Sequence, residues 1–106
     1  MDDDIFKNLF AVIEERKQKS PSESYVASLY SKGTQKINSK ITEEAAEVCE
    51  AALEDDKQHL TYEICDLLFH TFVLAGFKEI SLLDIEAEFS RRFGKSGLQE
   101  KAERTK

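Results

Sequence analysis

Four carboxylates occur in two pairs whose spacing suits the binding of a metal ion. Glu44 and Glu47 are three residues apart, and Glu63 and Asp66 have the same separation. Residues three apart lie on one face of an α-helix, so each pair presents two carboxylates to the same side. Four clustered carboxylates repel one another unless a cation lies among them, and ligands that are all oxygen suit a hard ion. The two pairs therefore predict a site for Mg²⁺, or for Mn²⁺.

The second pair lies in a segment that is otherwise apolar. Leu60, Ile64 and Leu67 surround it, and the uncharged run continues to Phe77. An ionised carboxylate in apolar surroundings is costly and is retained where it is paired or binds metal. A merely solvated acidic face is a simpler explanation for the first pair than for the second. His70 continues the charged face, and we expect it to be a hydrogen-bonded histidine rather than a direct ligand.

Helical periodicity accounts for nearly the whole chain, which has one proline and four glycines. Apolar spacing predicts a first helix over residues 3–17 and a second that starts with a capping box at Ser20 and Glu23 and ends near Gly33. A third helix runs from about Ile37 to a polar turn at residues 54–56. A fourth follows over residues 57–75 and is ended by Gly76.

The remaining sequence predicts one or two further helices. Ser81 with Asp84 three residues on opens a fifth helix that extends to Phe93 and is ended by Gly94. The polar tail after Gly97 is expected to fray or to form a last short helix. No segment alternates in the manner of a strand. The prediction is one all-α domain over residues 1–106, an antiparallel bundle of about four to five helices.

The short turn between the third and fourth helices determines where the carboxylates meet. It makes the two helices antiparallel neighbours whose apolar faces must pack together. Glu44 and Glu47 lie at the edge of the apolar stripe of the third helix, and Glu63 and Asp66 would then face them across the interface. We therefore expect Glu44, Glu47, Glu63 and Asp66 to be the metal ligands.

Positive charges suited to phosphate are few, because the formal net charge is -6. Such a protein does not attract nucleic acid or anionic membranes through its overall field, so a polyphosphate must be bound locally. Candidate phosphate ligands lie in or near the third helix, or in the fifth helix. They are Lys32, Lys36, Lys40, Arg91 and Arg92, with Arg16 and Lys17 as further candidates. A solvated surface charge is the alternative for each lysine except Lys40, which shares the face of Glu44.

The carboxylate pattern is similar to a known family motif. Glu43-Glu44-x-x-Glu47 followed by Glu63-x-x-Asp66 resembles the motif of the MazG-like all-alpha nucleoside-triphosphate pyrophosphohydrolases. Within that superfamily the chain resembles the phosphoribosyl-ATP pyrophosphatase branch. The stretches that carry this resemblance are VIEERK, SYVASLYSKG, KITEEAAEV, YEICDLLFH and RRFGKSGLQEKA, which together span nearly the whole chain.

The resemblance implies a Mg²⁺-dependent homodimer in the cytoplasm that hydrolyses phosphoribosyl-ATP to phosphoribosyl-AMP and pyrophosphate, the second step of histidine biosynthesis. The catalytic set would be Glu43, Glu44, Glu47, Glu63 and Asp66. Glu43 could act outside the ligand set or as the base for water. The cyclohydrolase of the next pathway step would lie on a separate chain. The acidic N-terminus is unlike a signal peptide, and the uncharged run is too short to cross a bilayer.

Two other functions are compatible with the same residues. A house-cleaning (deoxy)nucleoside-triphosphate pyrophosphatase would use the same metal site. A non-catalytic helical dimerisation module would explain the apolar helices but not Glu63 and Asp66 on a buried one.

Three further expectations concern surfaces. Cys49 and Cys65 should be buried thiols. The fourth helix is too apolar for a monomer to cover, so Phe69, Phe72 and Val73 should pack in a subunit interface or against the fifth helix. The loop of Lys32 and Gly33 should bind the second phosphate that phosphoribosyl-ATP carries and an ordinary nucleotide lacks.

Overall fold

A computed structural model of the chain describes residues 4–93 and 97–104. These residues form six helices and no strand. The helices are α1 (Ile5–Arg16), α2 (Tyr25–Lys32), α3 (Thr34–Ala51), α4 (Lys57–Phe77), α5 (Leu82–Phe93) and α6 (Gly97–Arg104). The all-α prediction is confirmed, with the polar tail supplying a sixth helix beyond the four to five expected. The predicted end of α5 at Gly94 lies outside the described residues.

The start of α2 differs from the sequence-based expectation. The Ser20 hydroxyl does donate to Glu23 at 2.7 Å, but this pair closes a turn and the helix begins only at Tyr25. Buried Ser24 supplies the cap instead, because its hydroxyl oxygen accepts from the backbone N–H of Ala27 at 3.2 Å. The capping-box spacing was correct, but the helix start was placed four residues too early.

The α3–α4 hairpin has the most extensive contacts between any two helices of the described chain. Gly33 separates α2 from α3 and adopts φ +86°, a region that favours glycine. After α3 the chain turns, and α4 begins at Lys57. Asp56 caps this helix, because its carboxylate accepts from the backbone N–H of His59 at 3.0 Å. This helix pair is the frame on which both predicted carboxylate pairs are mounted.

The core lies where α1, α2 and α3 pack on one side of α4. Its fully buried members are apolar residues from all four helices: Ile13, Val26, Leu29, Ile37 and Val73. Phe72 joins this core through the α1 aromatics, with ring centroids 5.6 Å from Phe6 and 4.9 Å from Phe10. The expectation that Phe69, Phe72 and Val73 pack against α5 or a second subunit was therefore wrong, because α1 and α2 cover this side of α4 within one chain.

The opposite side of α4 is left uncovered. By length and composition alone, Lys57–Phe77 could cross a membrane, although only 28% of its most apolar stretch is buried. It carries Glu63, Asp66 and His70 and packs along α3, as a central helix of a bundle does. Exposed apolar side chains remain at Ile64 and Leu68.

Helix α5 begins as the sequence predicts. Ser81 and Asp84 form a reciprocal capping pair, in which the Ser81 N–H donates to Asp84 at 2.9 Å and the Asp84 N–H donates to the Ser81 hydroxyl at 3.1 Å. The helix buries none of its residues and packs mainly against α1. The radius of gyration of 16.0 Å exceeds the ~13 Å typical of a compact chain of this length, because α5 adds little to the core.

Gly76 does not end α4, contrary to the sequence-based expectation. The helix continues to Phe77, and the left-handed residue that follows it is Glu79 at φ 60°. Gly76 is buried, and a Cβ there would lie 2.8 Å from the Tyr30 hydroxyl oxygen and 3.0 Å from Ile13 Cγ2. The glycine therefore serves close packing of α4 against α1 and α2.

We predict that Gly76→Ala lowers the free energy of unfolding by about 1–3 kcal/mol, the usual cost of overpacking a core. Tyr30 cannot move aside freely, because its hydroxyl donates to the Val73 carbonyl at 2.8 Å. Urea unfolding followed by circular dichroism measures the loss. The double variant Gly76→Ala/Tyr30→Phe should lose less than the sum of the two single variants, since it removes the clashing oxygen. Strict additivity would show that no clash exists.

Candidate metal centre

Helices α3 and α4 bring three of the four predicted ligands together. One oxygen each from Glu44, Glu63 and Asp66 lies within 4.8 Å of the others. Glu47, one turn after Glu44 on α3, borders this group, and its carboxyl interacts with those of Glu44 and Glu63. We call these four residues the carboxylate cluster. Its ligand atoms are all oxygens, which favours a hard divalent cation.

Two oxygens of the cluster are buried without a hydrogen-bond donor. Glu44 is 4% exposed and Glu63 is 8% exposed. Among the described residues, neither Glu44 Oε2 nor Glu63 Oε2 has a hydrogen-bond partner. Buried polar atoms are normally satisfied, and exceptions call for a physical reason such as an ion. The ligand set, which is all oxygen, and these two buried oxygens without hydrogen-bond partners both fit a bound cation.

Burial and the neighbouring carboxyls weaken the acidity of two groups in the cluster, Glu44 and Glu63. Burial raises the pKa of Glu44 to about 7, assisted by a hydrogen bond with Glu47 and the nearby charge of Asp66. Burial and the Glu47 carboxyl also raise the pKa of Glu63. Near neutral pH the cluster thus retains protons that a cation would displace.

Lys40 is the cation nearest to the cluster on α3. Its ammonium lies 3.4 Å from Glu43 Oε2 and 3.7 Å from Glu44 Oε1. Glu43 itself is largely exposed and is not a member of the group of three converging oxygens. The structure thus separates Glu43, which pairs with Lys40, from the carboxylates that face one another.

His59 is a neighbour of the cluster that the sequence reasoning missed. Its Nε2 lies 3.3 Å from Glu63 Oε1 and its Nδ1 lies 3.0 Å from Glu54 Oε1. The pKa of His59 is raised, chiefly by its hydrogen bond with Glu54, which favours the cationic form. The spacing of four residues between His59 and Glu63 on one helix was a signal that could have identified it.

Tyr25 is a second missed neighbour, and it contacts His70. The Tyr25 hydroxyl lies 2.8 Å from His70 Nε2, and His70 Nδ1 lies 2.8 Å from the backbone carbonyl of Asp66. His70 is therefore a buried, hydrogen-bonded histidine, as its position had suggested. Sequence spacing could not reveal Tyr25, because the contact joins residues 45 positions apart.

The other predicted phosphate ligands lie outside the cluster. Lys32 ends α2, Lys36 lies one turn before Lys40 on α3, and both are exposed. Arg91 and Arg92 bind Glu88 on their own helix, at 2.6 Å and 2.8 Å. Since α5 packs mainly against α1, one chain does not bring these arginines to the carboxylates.

A cavity of about 460 Å³ lies between α1, the end of α4 and the start of α5. None of the clustered carboxylates lines it, and its walls include Phe10, Ile13 and Leu82. The chemistry of the site therefore belongs to the α3–α4 face.

Comparison with known proteins identifies the family to which the chain belongs. Residues 6–93 match the family described as phosphoribosyl-ATP pyrophosphohydrolase. The chain is 54% identical over 101 residues to the phosphoribosyl-ATP pyrophosphatase of Ruthia magnifica, covering 95% of this chain and 96% of the relative. It is 48% identical to that of Geobacter metallireducens, covering 98% and 95%, and 47% identical to that of Neisseria gonorrhoeae, covering 99% and 98%.

The raised pKa of Glu44 predicts how the metal-free protein responds to pH. A carboxyl with a pKa near 4.5 when unfolded and about 7 when folded binds more protons in the folded state between these values. The free energy of unfolding should therefore fall as pH rises from about 4.5 to about 7, and the penalty should persist above that. Glu63 contributes with the same sign.

Urea unfolding at a series of pH values, with a chelator present, measures this dependence. Glu44→Gln cannot ionise and should flatten the fall, whereas Glu50→Gln, an exposed residue on the same helix, should not. A wild-type curve identical to that of Glu44→Gln would contradict the raised pKa.

Proposed function

The chain belongs to the phosphoribosyl-ATP pyrophosphohydrolase family, and we propose on that basis that it hydrolyses phosphoribosyl-ATP to phosphoribosyl-AMP and pyrophosphate in histidine biosynthesis. The relatives that support this reaction match the chain over nearly its whole length. The structural observation that carries the proposal is the pair of buried, donor-free oxygens on Glu44 and Glu63. Clustered carboxylates can hold a cation, and an enzyme whose substrate is a polyanion can use that cation to bind phosphate.

Glu44, Glu63 and Asp66 would hold the divalent cation directly, with Glu47 completing the set. The converging oxygens of Glu44, Glu63 and Asp66, and the raised pKa of Glu44 and of Glu63, support this assignment. Mg²⁺ is the proposed ion and Mn²⁺ the substitute, because both accept oxygen ligands. Such an ion neutralises phosphate charge and lowers the pKa of bound water. The rigid α3–α4 hairpin keeps the four carboxylates in place for it.

The reaction requires water to attack one of the two phosphorus atoms joined by the α–β anhydride oxygen. The bond from the attacked phosphorus to this oxygen breaks, so the oxygen leaves on pyrophosphate after attack at the α-phosphorus and on phosphoribosyl-AMP after attack at the β-phosphorus. The carboxylate cluster would hold the cation that binds the triphosphate of the substrate near this water, so much of the catalysis would be orientation. Glu43 lies at the rim and holds Lys40 at 3.4 Å. This pairing favours a role for Glu43 outside the ligand set, with service as the base for water as the alternative.

The phosphates beyond the cluster would meet basic groups along α3. Lys40 and Lys36 lie one turn apart on α3, and Lys40 already adjoins Glu44. Gly33 makes no side-chain cap at the start of α3, so no side chain occupies the backbone N–H groups of the first turn from that position. These groups and Lys32 together suit the second phosphate of the substrate. We propose that Arg91 and Arg92 reach phosphate only in an oligomer in which α5 lies near a carboxylate cluster.

A homodimer is the proposed assembly. The α3–α4 hairpin has an outer face of exposed small and apolar side chains: Ala46, Cys49, Leu53, Ile64, Cys65 and Leu68. Both cysteines are exposed within one chain, which corrects the expectation of buried thiols. A second copy that packs on this face would bury them and form a four-helix interface.

The proposed setting is the cytoplasm, where amino-acid biosynthesis takes place. The following pathway step would require a cyclohydrolase on a separate chain.

Incubation with phosphoribosyl-ATP and Mg²⁺, followed by product analysis, tests the reaction. Pyrophosphate and phosphoribosyl-AMP are expected, and orthophosphate alone would contradict the proposal. A panel of deoxynucleoside triphosphates distinguishes the house-cleaning pyrophosphatase, which would turn them over equally well. Mg²⁺ should also raise the melting temperature, as binding to the native state requires. A non-catalytic dimerisation module would show neither effect.

We predict that Asp66→Asn lowers kcat/KM by about 10²-fold or more, because it removes the charge of a ligand to the catalytic ion. The metal-free melting temperature should stay the same or rise, since the change relieves repulsion among clustered carboxylates. Steady-state kinetics and thermal unfolding measure the two effects. Asp55→Asn, in the exposed turn before α4, is the matched control and should retain activity. Normal turnover of Asp66→Asn in limiting Mg²⁺ would exclude Asp66 as a ligand.

We further predict that Leu68→Glu converts the dimer to a monomer, because the new carboxylate would have to be desolvated in the interface. Size-exclusion chromatography with light scattering measures the molecular mass. Gln58→Glu adds the same charge to an exposed position in the first turn of α4 and should remain dimeric. A dimeric Leu68→Glu variant would place the interface elsewhere.

A further inference from the structure

Tyr25 is an aromatic residue that is half exposed and yet held firmly by its neighbours. Its ring is stacked on that of Phe69 at an interplanar angle of 19°, with centroids 6.5 Å apart, and the His70 ring meets it edge-on at 5.7 Å. The Tyr25 hydroxyl oxygen lies 2.8 Å from His70 Nε2. These contacts join the first residue of α2 to α4, so the fold sets the position of the ring although 50% of the residue is exposed.

The Tyr25 ring lies about one turn of α4 beyond the carboxylate cluster. Phe69, on which the ring is stacked, follows Asp66 by three residues, so the two side chains share one side of α4. His70 Nδ1 lies 2.8 Å from the backbone carbonyl oxygen of Asp66. A single residue, His70, thus connects Tyr25 to the backbone of a proposed metal ligand. A ligand bound at the cluster can extend along α4 to the exposed ring.

The other exposed aromatic rings of the described chain are less suited to this position. Phe89 and Phe93 are on α5, which packs mainly against α1. Tyr62 precedes Glu63 on α4 and is 65% exposed, but among the described residues its ring has no aromatic partner and its hydroxyl no hydrogen bond. A ring that is already fixed, as that of Tyr25 is, loses little conformational freedom when a ligand binds.

We propose that the exposed surface of the Tyr25 ring is a stacking site for the purine base of the substrate. The cation on the carboxylate cluster is assigned to the triphosphate, so the base at the other end of the nucleotide needs a site away from the cluster. A purine has a flat π-face that stacks on aromatic side chains. This inference rests on the proposed function, because that function supplies the purine nucleotide.

The first test compares two variants of the full chain with Mg²⁺ and phosphoribosyl-ATP. Tyr25→Leu removes the aromatic face and should raise KM about tenfold with little change in kcat, the loss expected for one base stacked on an aromatic side chain. Tyr25→Phe keeps the ring and removes only the hydroxyl, so its KM should stay close to that of the wild type. Thermal unfolding followed by circular dichroism verifies that both variants fold.

A ligand without a base separates stacking from damage to the carboxylate cluster. Inorganic tripolyphosphate carries phosphates but no purine, so its inhibition constant should be the same for the wild type and Tyr25→Leu. The inhibition constant of α,β-methylene-ATP, which carries both, should rise as KM does. Tyr62→Leu is the matched control on α4 and should leave KM and both inhibition constants unchanged.

Fluorescence provides a readout that does not depend on turnover. The chain contains no tryptophan, so Tyr25→Trp introduces one indole whose emission reports this position alone. With Mg²⁺ present, α,β-methylene-ATP should quench the emission, because its purine stacks on the indole. Tripolyphosphate should not quench it. This experiment decides the matter if Tyr25→Leu fails to fold.

An unchanged KM in Tyr25→Leu, an equal KM rise in Tyr25→Phe, or equal quenching by tripolyphosphate and α,β-methylene-ATP would each overturn the stacking site. A KM rise in Tyr62→Leu without one in Tyr25→Leu would place the base at Tyr62 instead. Absence of turnover by the wild type would overturn the proposed function, and the fluorescence experiment would then still test the base site by itself.

Discussion

Repulsion among like charges across the α3–α4 interface is the constraint on which the rest of this structure depends. The bundle places three carboxylate oxygens within 4.8 Å of one another and buries two oxygens without donors. Folding must therefore supply enough favourable burial elsewhere to hold these groups together. Burial, assisted by the neighbouring carboxyls, raises the pKa of Glu44 to about 7, and a proton retained on this group relieves part of the repulsion in the metal-free chain. A bound divalent cation would relieve the repulsion further. The free-energy cost of holding the carboxylates together in the metal-free protein therefore favours cation binding.

The favourable burial comes from one side of α4. Ile13, Leu29 and Val73 are almost completely buried there, and the α1 aromatics close over Phe72. Two tyrosine hydroxyls then tie α2 to α4, at Tyr25 and Tyr30. The close approach of Gly76 to Tyr30 belongs to the same packing. The core thereby fixes α4 in rotation about its axis, and that rotation is what aims Glu63 and Asp66 at α3.

The features that were predictable from sequence are those that depend on spacing within one helix. The three-residue separations within the carboxylate pairs, the Ser81–Asp84 cap and the α3–α4 turn all have local causes, and each is present in the structure. The errors concern contacts between distant segments. Nothing near Gly76 in sequence indicates that Tyr30 approaches it, and nothing near Ser20 indicates that Ser24 will be buried and cap α2. Tyr25 was overlooked for the same reason, since its partner is 45 residues away.

The two faces of α4 explain why a chain with a net charge of -6 can act on a polyanion. The face toward α3 carries the carboxylate cluster, and a bound cation would convert that local negative charge into a site for phosphate. Lys40 and Lys36 extend the positive potential along α3, where the field of the whole protein would otherwise oppose the substrate. The outer face, with Ile64 and Leu68, lacks any cover within the described chain. One helix thus has two unmet requirements, one electrostatic and one hydrophobic, and a cation and a second copy of the chain would satisfy them independently. Because the two requirements are met on different faces, we expect the metal site to be retained in the monomer, while dimerisation stabilises the helix on which the site is built.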